Sequence, residues 1–124
     1  MPKIKTHQEL RVYQLSFEVG MIIFELSKSF PKNENYSLTD QVRRSSRSVS
    51  GNIAEAFRKI MYPKSFVHKI NDCEGEAAET QVWLDYAFAC GYIDQNIHVE
   101  LQQKIERMIS MLVTMRLKPE DWAL

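Results

Sequence analysis

Apolar positions recur at helical spacing in four stretches of the chain, about 7–30, 38–60, 63–90 and 94–117. The first carries two apolar rows. Leu10, Tyr13, Phe17, Met21 and Phe24 make one, and Val12, Leu15, Val19, Ile22, Ile23 and Leu26 the other. A bundle helix needs only one row against its own core, so the extra row predicts burial against another subunit. The second stretch sets Leu38, Val42, Val49, Ile53, Ala56, Phe57 and Ile60 on one face. Ser37 stands where an N-cap is wanted, and Asp40 falls in the first turn, where the helix dipole favours negative charge. Its middle is crowded with Ser45, Ser46, Ser48, Ser50, Gly51 and Ala54. Small side chains suit close helix approach, at a cost in helix propensity that packing must offset.

In the third stretch Phe66, Ile70, Cys73, Ala77, Thr80, Leu84, Ala87 and Gly91 follow alternating steps of four and three, the heptad seam of a left-handed bundle. Pro63 suits the first turn of that helix. In the fourth, Ile97, Leu101, Ile105, Met108, Leu112 and Met115 form the seam, widened by Ile109, Met111 and Val113. The segment from Phe30 to Tyr36, the triplet Met61-Tyr62-Pro63, Gly91 and Pro119 mark the breaks. The pattern predicts an all-α protein, a single domain over 1–124 folded as an antiparallel up-down four-helix bundle.

Composition narrows this further. A chain of 124 residues suits one domain, and only four glycines and four prolines leave little punctuation for sheets and turns. Sixteen basic and sixteen acidic residues give zero net charge, which removes the class of strongly basic nucleic-acid binders. Apolar runs such as Met21-Ile22-Ile23-Phe24 are far short of the ~20 residues of a membrane span. The N-terminal residues show no apolar stretch of signal-peptide length, so the expectation is a cytoplasmic protein without membrane association.

Four-helix bundles raise the question of di-metal carboxylate sites, which need Glu-x-x-His on two helices. None of the eleven glutamates has a histidine three residues later. His7, His68 and His98 fall on separate segments, and Cys73 and Cys90 form no metal-binding pair. Cys73 lies on the seam, where a thiol behaves as a small hydrophobe. Cys90 is near a helix C-terminus, whose dipole disfavours a thiolate. No nucleophile elbow, Ser-x-x-Lys motif or phosphate-cradling glycine loop occurs. The expectation is therefore no catalytic residue, no metal and no cofactor.

The charges are distributed unevenly. Residues 37–62 carry five basic and two acidic groups, and residues 63–93 two basic and five acidic. Arg43, Arg44, Arg47 and Arg58 fall within an arc of roughly 100°, about 160° from the apolar face of their helix. Lys59 follows directly. On the third helix Asp72, Glu76 and Glu79 cluster with Trp83. Three readings fit. The charges form a solvated face with local pairs such as Asp40–Arg44 and Glu55–Lys59; or the two stripes meet across a subunit interface; or the arginines bind the phosphates of RNA or DNA.

The run from Glu34 to Val49, with Tyr36-Ser37-Leu38-Thr39, Gln41-Val42-Arg43-Arg44 and later Asn52-Ile53-Ala54-Glu55, resembles the signature of the 23S rRNA-intervening sequence (S23-type) protein family. Leu10-Arg11-Val12-Tyr13-Gln14, Glu76-Ala77-Ala78-Glu79-Thr80 and Gly91-Tyr92-Ile93 are similar to its other motifs, in order along residues 8–117. The chain departs where the family commonly has proline, with Ser50-Gly51, and again at Ala56 and Glu74-Gly75. The resemblance implies a non-enzymatic bundle assembled as a ring-like homo-oligomer, a pentamer first of all. It also implies a bacterial origin and kinship with the accessory protein of diversity-generating retroelements, which binds a reverse transcriptase and nucleic acid. It further implies that Asn52, Glu55, Glu79 and Thr80 matter together; the expectation is a structural network, with both glutamates held by arginines. The favoured role is a scaffold or adaptor with a protein or RNA partner, the alternative a direct RNA or DNA binder using Arg43, Arg44, Arg47, Arg58 and Lys59.

Overall fold

The computed structural model describes residues 4–122; residues 1–3 and 123–124 of the expected domain lie outside it. Four α-helices carry the described chain, α1 (Arg11–Ser27), α2 (Leu38–Arg58), α3 (Pro63–Ala89) and α4 (Gln95–Leu117), with short 3-10 turns at His7–Glu9, Lys32–Glu34 and Pro119–Asp121. No strand occurs among the described residues. Each helix packs on its chain neighbours, and α4 closes the bundle against α1, so the order around the bundle follows the order of the chain. Short connections make successive helices antiparallel.

The heptad seams form the core. Val12, Val19 and Ile23 of α1 meet Val42, Val49 and Ile53 of α2, Phe66, Ile70, Cys73 and Leu84 of α3, and Leu101, Ile105, Met108 and Leu112 of α4, all buried. Truncating a wholly buried side chain such as Ile53 to alanine costs about 2–5 kcal/mol. Of the small residues of α2, Ser45 and Ser46 are buried, Ser48, Ser50 and Ala54 are half-buried and Gly51 is exposed, and the serines are bonded. Ser45 Oγ accepts from Thr80 Oγ1 at 2.8 Å, and the Ser16 and Ser50 hydroxyls lie 2.8 Å apart. Serine extends only one atom past Cβ, so these bonds require α2 to lie close against both α3 and α1.

The helix ends depart from the expected bounds, most at α1. It begins at Arg11 rather than near His7, because the preceding residues form a separate 3-10 turn, with Glu9 Oε2 accepting from the Thr6 and Lys5 amides at 2.9 and 2.6 Å. It ends at Ser27, where the hydrogen bonds tighten to 3-10 type through Phe30. Helices α2 and α3 stop two and one residues short, at Arg58 and Ala89, and α4 starts one residue late, at Gln95. Ser37 takes the N-cap position of α2, but its hydroxyl donates to Glu34 instead of accepting from the helix. Glu34 itself accepts from Leu38 N at 3.4 Å and from the Tyr92 hydroxyl at 2.8 Å. The Phe30 and Tyr92 rings pack 5.5 Å apart beside this bond. Asp94 caps α4 in the ordinary way, accepting from Ile97 N at 2.8 Å.

Gly91 closes α3 with φ of +80°. Tyr92 N donates to Ala87 O at 2.8 Å and Gly91 N to Phe88 O at 3.0 Å, a Schellman ending that aims Tyr92 at Glu34. A Cβ on Gly91 meets no atom within 4 Å, so alanine there is opposed by backbone conformation alone. Gly91→Ala is expected to destabilise the protein by about 1–2 kcal/mol with the fold retained, measured as a lower urea midpoint at unchanged slope.

Candidate functional site

The arginine row of α2 does not act as one stripe. Arg43 Nε donates to Ser27 Oγ at 2.7 Å, and its guanidinium lies 4.9 Å from the centre of the Phe24 ring. Arg47 and Lys28 lie over the same ring, at 5.6 and 4.8 Å. Arg44 turns the other way. It donates to Gln41 at 3.2 Å and faces Glu76 of α3. Arg58 lies eleven residues past Arg47, about 16 Å along the helix axis, at the far end of the bundle. Of the local pairs expected, neither Asp40–Arg44 nor Glu55–Lys59 is among the ion pairs of the described residues; Glu55 instead reaches across to Lys69 of α3 at 2.6 Å.

The four polar residues of the motif segments fall in separate places. Thr80 is buried and bonds Ser45 and the Glu76 carbonyl. Asn52 donates to the Ser48 carbonyl at 2.9 Å and accepts from Lys69 Nζ at 3.2 Å, so Asn52 and Glu55 share one cation. That cation is a lysine, not the arginine expected. Glu79 lies beside Glu76 on the face towards α2. Burial raises the Glu76 carboxyl above its ordinary range and Glu79 adds to the rise, while Arg44 and Ser48 oppose it. Glu74, which departs from the family pattern, is taken up by Arg116 of α4 at 2.6 Å.

At the α2–α3 corner, residues from both sides of the Pro63 break come together. Glu55, Arg58, Lys59, Tyr62, Ser65 and Lys69 line an open depression of about 540 Å³, and Lys64 and His68 extend it into a second of about 380 Å³. Tyr62 is 67% exposed and Met61 beside it is exposed as well. The sequence reading named Arg58, Lys59 and Glu55 but missed Tyr62, Lys64, Ser65, His68 and Lys69. The available signal was a set of basic residues on both flanks of a proline turn that holds an aromatic.

The two rows of α1 separate as their spacing implies. Val12, Val19 and Ile23 are buried, whereas Phe17 is 54% and Met21 45% exposed, with Tyr13 and Phe24 half-buried in line with them; Leu10 alone of that row is buried. On α3, Val82 and Tyr86 are exposed beside Gly75, Ala78 and Glu79.

Burial pushes the Cys73 thiol up to about 12. The hydrogen bond from Lys69 holds the Glu55 carboxyl below its ordinary range, and Glu55 in turn raises Lys69. His98 Nε2 meets Asp85 Oδ1 at 2.9 Å, and its ring stacks on Phe88 at 4.6 Å. Among the described residues no group of three or more His, Cys, Asp or Glu stands close enough to hold a metal ion, and no helix is long and apolar enough to cross a membrane.

The helices and their seams together define an all-helical four-helix bundle. A family model for the 23S rRNA-intervening sequence protein matches residues 8–114, and the chain belongs to that family. Among solved structures it is similar to a protein of unknown function from the S23 ribosomal protein family of Bacteroides thetaiotaomicron, at 24% identity over 85% of this chain and 94% of that one, with a TM-score of 0.76. That likeness is one of fold alone. No curated protein sequence matches at a significant level.

The Cys73 thiol gives a direct check on the core. In a Cys90→Ser protein, DTNB should label Cys73 only as fast as the protein unfolds. Because the folded thiol sits above its unfolded range of about 8.5, its contribution to stability is complete below that pH and is lost as pH rises towards about 12. Thermal melts at increasing alkaline pH should fall accordingly.

Proposed function

We propose that the protein is a non-enzymatic scaffold that works as a closed homo-oligomer, with the outer face of α1 in one copy seated on the outer face of α3 in the next. The observation that carries this is the exposure of Phe17 and Met21, with Tyr13 and Phe24 half-buried in line with them, along a helix whose other row fills the core. Contiguous apolar surface of this kind on a folded domain marks a contact. Charge supports the same pairing. At its Phe24 end the α1 row is flanked by Arg43 and Arg47, with Lys28 paired to Glu25 at 3.2 Å. The α3 row Gly75, Ala78, Val82 and Tyr86 is flanked by Glu79 and by Glu76, which also faces Arg44 of its own chain. Two different faces of one chain that fit each other make a heterologous contact, which closes into a ring when the rotation allows. A pentamer is the first expectation. The role as adaptor rests on the partner surface such a ring repeats.

The shifts at Glu55, Lys69 and Cys73 run away from titration near neutral pH and support the non-enzymatic reading, while that of Glu76 alone runs towards it. Two free thiols and no disulfide support a cytoplasmic location.

Light scattering coupled to size exclusion tests the assembly. The wild type should run as an integer multiple of 14.5 kDa. Phe17→Glu with Met21→Glu should return it to the single-chain mass with helical circular dichroism unchanged. A wild type of single-chain mass at micromolar concentration would overturn the proposal.

A further inference from the structure

We propose that the α2–α3 corner is a binding site for single-stranded nucleic acid, with the phosphates held by Arg58, Lys59 and Lys64 and one base stacked on Tyr62. The site lies within one copy of the chain, so it stands whether or not the chain assembles.

Three observations lead there. First, the cations are unspent. Lys69 is committed to Glu55 at 2.6 Å, and His68 faces Asp72 at 3.7 Å. Arg58, Lys59 and Lys64 form no ion pair among the described residues and are exposed. Elsewhere on α2, Arg43 and Arg47 lie over Phe24 at the opposite end of the helix and Arg44 faces Glu76, so Arg58 and the C-cap Lys59 are the α2 cations that stand beside Tyr62. Second, the shape is open. Two adjoining depressions, about 540 and 380 Å³, run across the corner and share Lys59, Ser65 and Lys69. A small phosphorylated metabolite calls for an enclosing pocket, whereas a shallow charged trough open along its length suits a chain passing over it. Third, Tyr62 stands in that trough with two-thirds of its surface exposed. A solvated aromatic flanked by cations is the platform that unstacked bases use, and duplex offers no free base to occupy it.

Fluorescence anisotropy with a fluorescein-labelled oligouridine of about 12 nucleotides, and with a duplex DNA of similar length, tests the site. The protein should bind the single strand more tightly. Three phosphate contacts predict a loss of about 20-fold in affinity between roughly 50 and 200 mM salt, from about 0.7 log units per phosphate and log salt. Tyr62→Ala should weaken single-strand binding by about fivefold or more and leave weak duplex binding unchanged. Arg58→Glu with Lys59→Glu and Lys64→Glu should abolish both, with the helical spectrum intact. Absence of binding at about 50 mM salt would overturn the proposal. So would unchanged affinity in the triple variant, or binding insensitive to Tyr62→Ala and displaced by equimolar tripolyphosphate, which would indicate a small-anion site instead.

Discussion

The close seating of α2 between α1 and α3 is the constraint on which the rest of the bundle depends. It is set by hydroxyl bonds at the interior contacts, Ser45 with Thr80 on one side and Ser16 with Ser50 on the other. Serine at these sites gives up helix propensity, and a buried hydroxyl left without a partner would cost about 1–3 kcal/mol. Each hydroxyl here meets another or a main-chain carbonyl, so the close contact carries little penalty. A larger residue at either contact would push the helices apart around the small internal space lined by Ser16, Val19, Val49, Thr80 and Ile105.

Close packing also explains what is left outside. With α1 drawn onto α2 through its small residues, one row of α1 fills the core, and Phe17 and Met21 face outward. Phe24 is covered by cations from α2 and from its own helix. Arginine over an aromatic face keeps its charge accessible while its stem shields the ring. The α1–α2 surface thus carries Phe17 and Met21 with Arg43 and Arg47 at one end, while on α3 Val82 and Tyr86 are exposed beside Glu79 and Glu76, the latter facing Arg44.

The helices were legible in the sequence because burial imposes a 3.6-residue period over twenty or more residues, and every seam position from Phe66 to Ala87 is buried. The ends were less so. Ser37 fails as a conventional cap because Glu34 takes the Leu38 amide, and Glu34 is positioned by Tyr92, a residue distant in sequence. The arginine row was misread for a related reason. Helical spacing gives the direction of Cβ, but a guanidinium ends several bonds further on, and Arg43 and Arg44, adjacent in sequence, finish against different helices. Glu55 finds Lys69 across a helix pair, a contact that no local rule supplies. The residues of the family signature divide between a buried hydroxyl contact at Thr80, a shared cation at Asn52 and Glu55, and a half-buried carboxylate at Glu79 beside Glu76.

The central claim is that the positive rim of one copy meets the negative rim of the next. Exchanging the charges tests it most directly. Three chains suffice: Arg43→Glu with Arg47→Glu, Glu76→Arg with Glu79→Arg, and all four changes together, each weighed by light scattering. The account predicts that either pair alone shifts the particle towards 14.5 kDa and that the fourfold chain recovers the wild-type mass. Wild-type mass in all three chains, or no recovery in the fourfold chain when its helical content is intact, would contradict it.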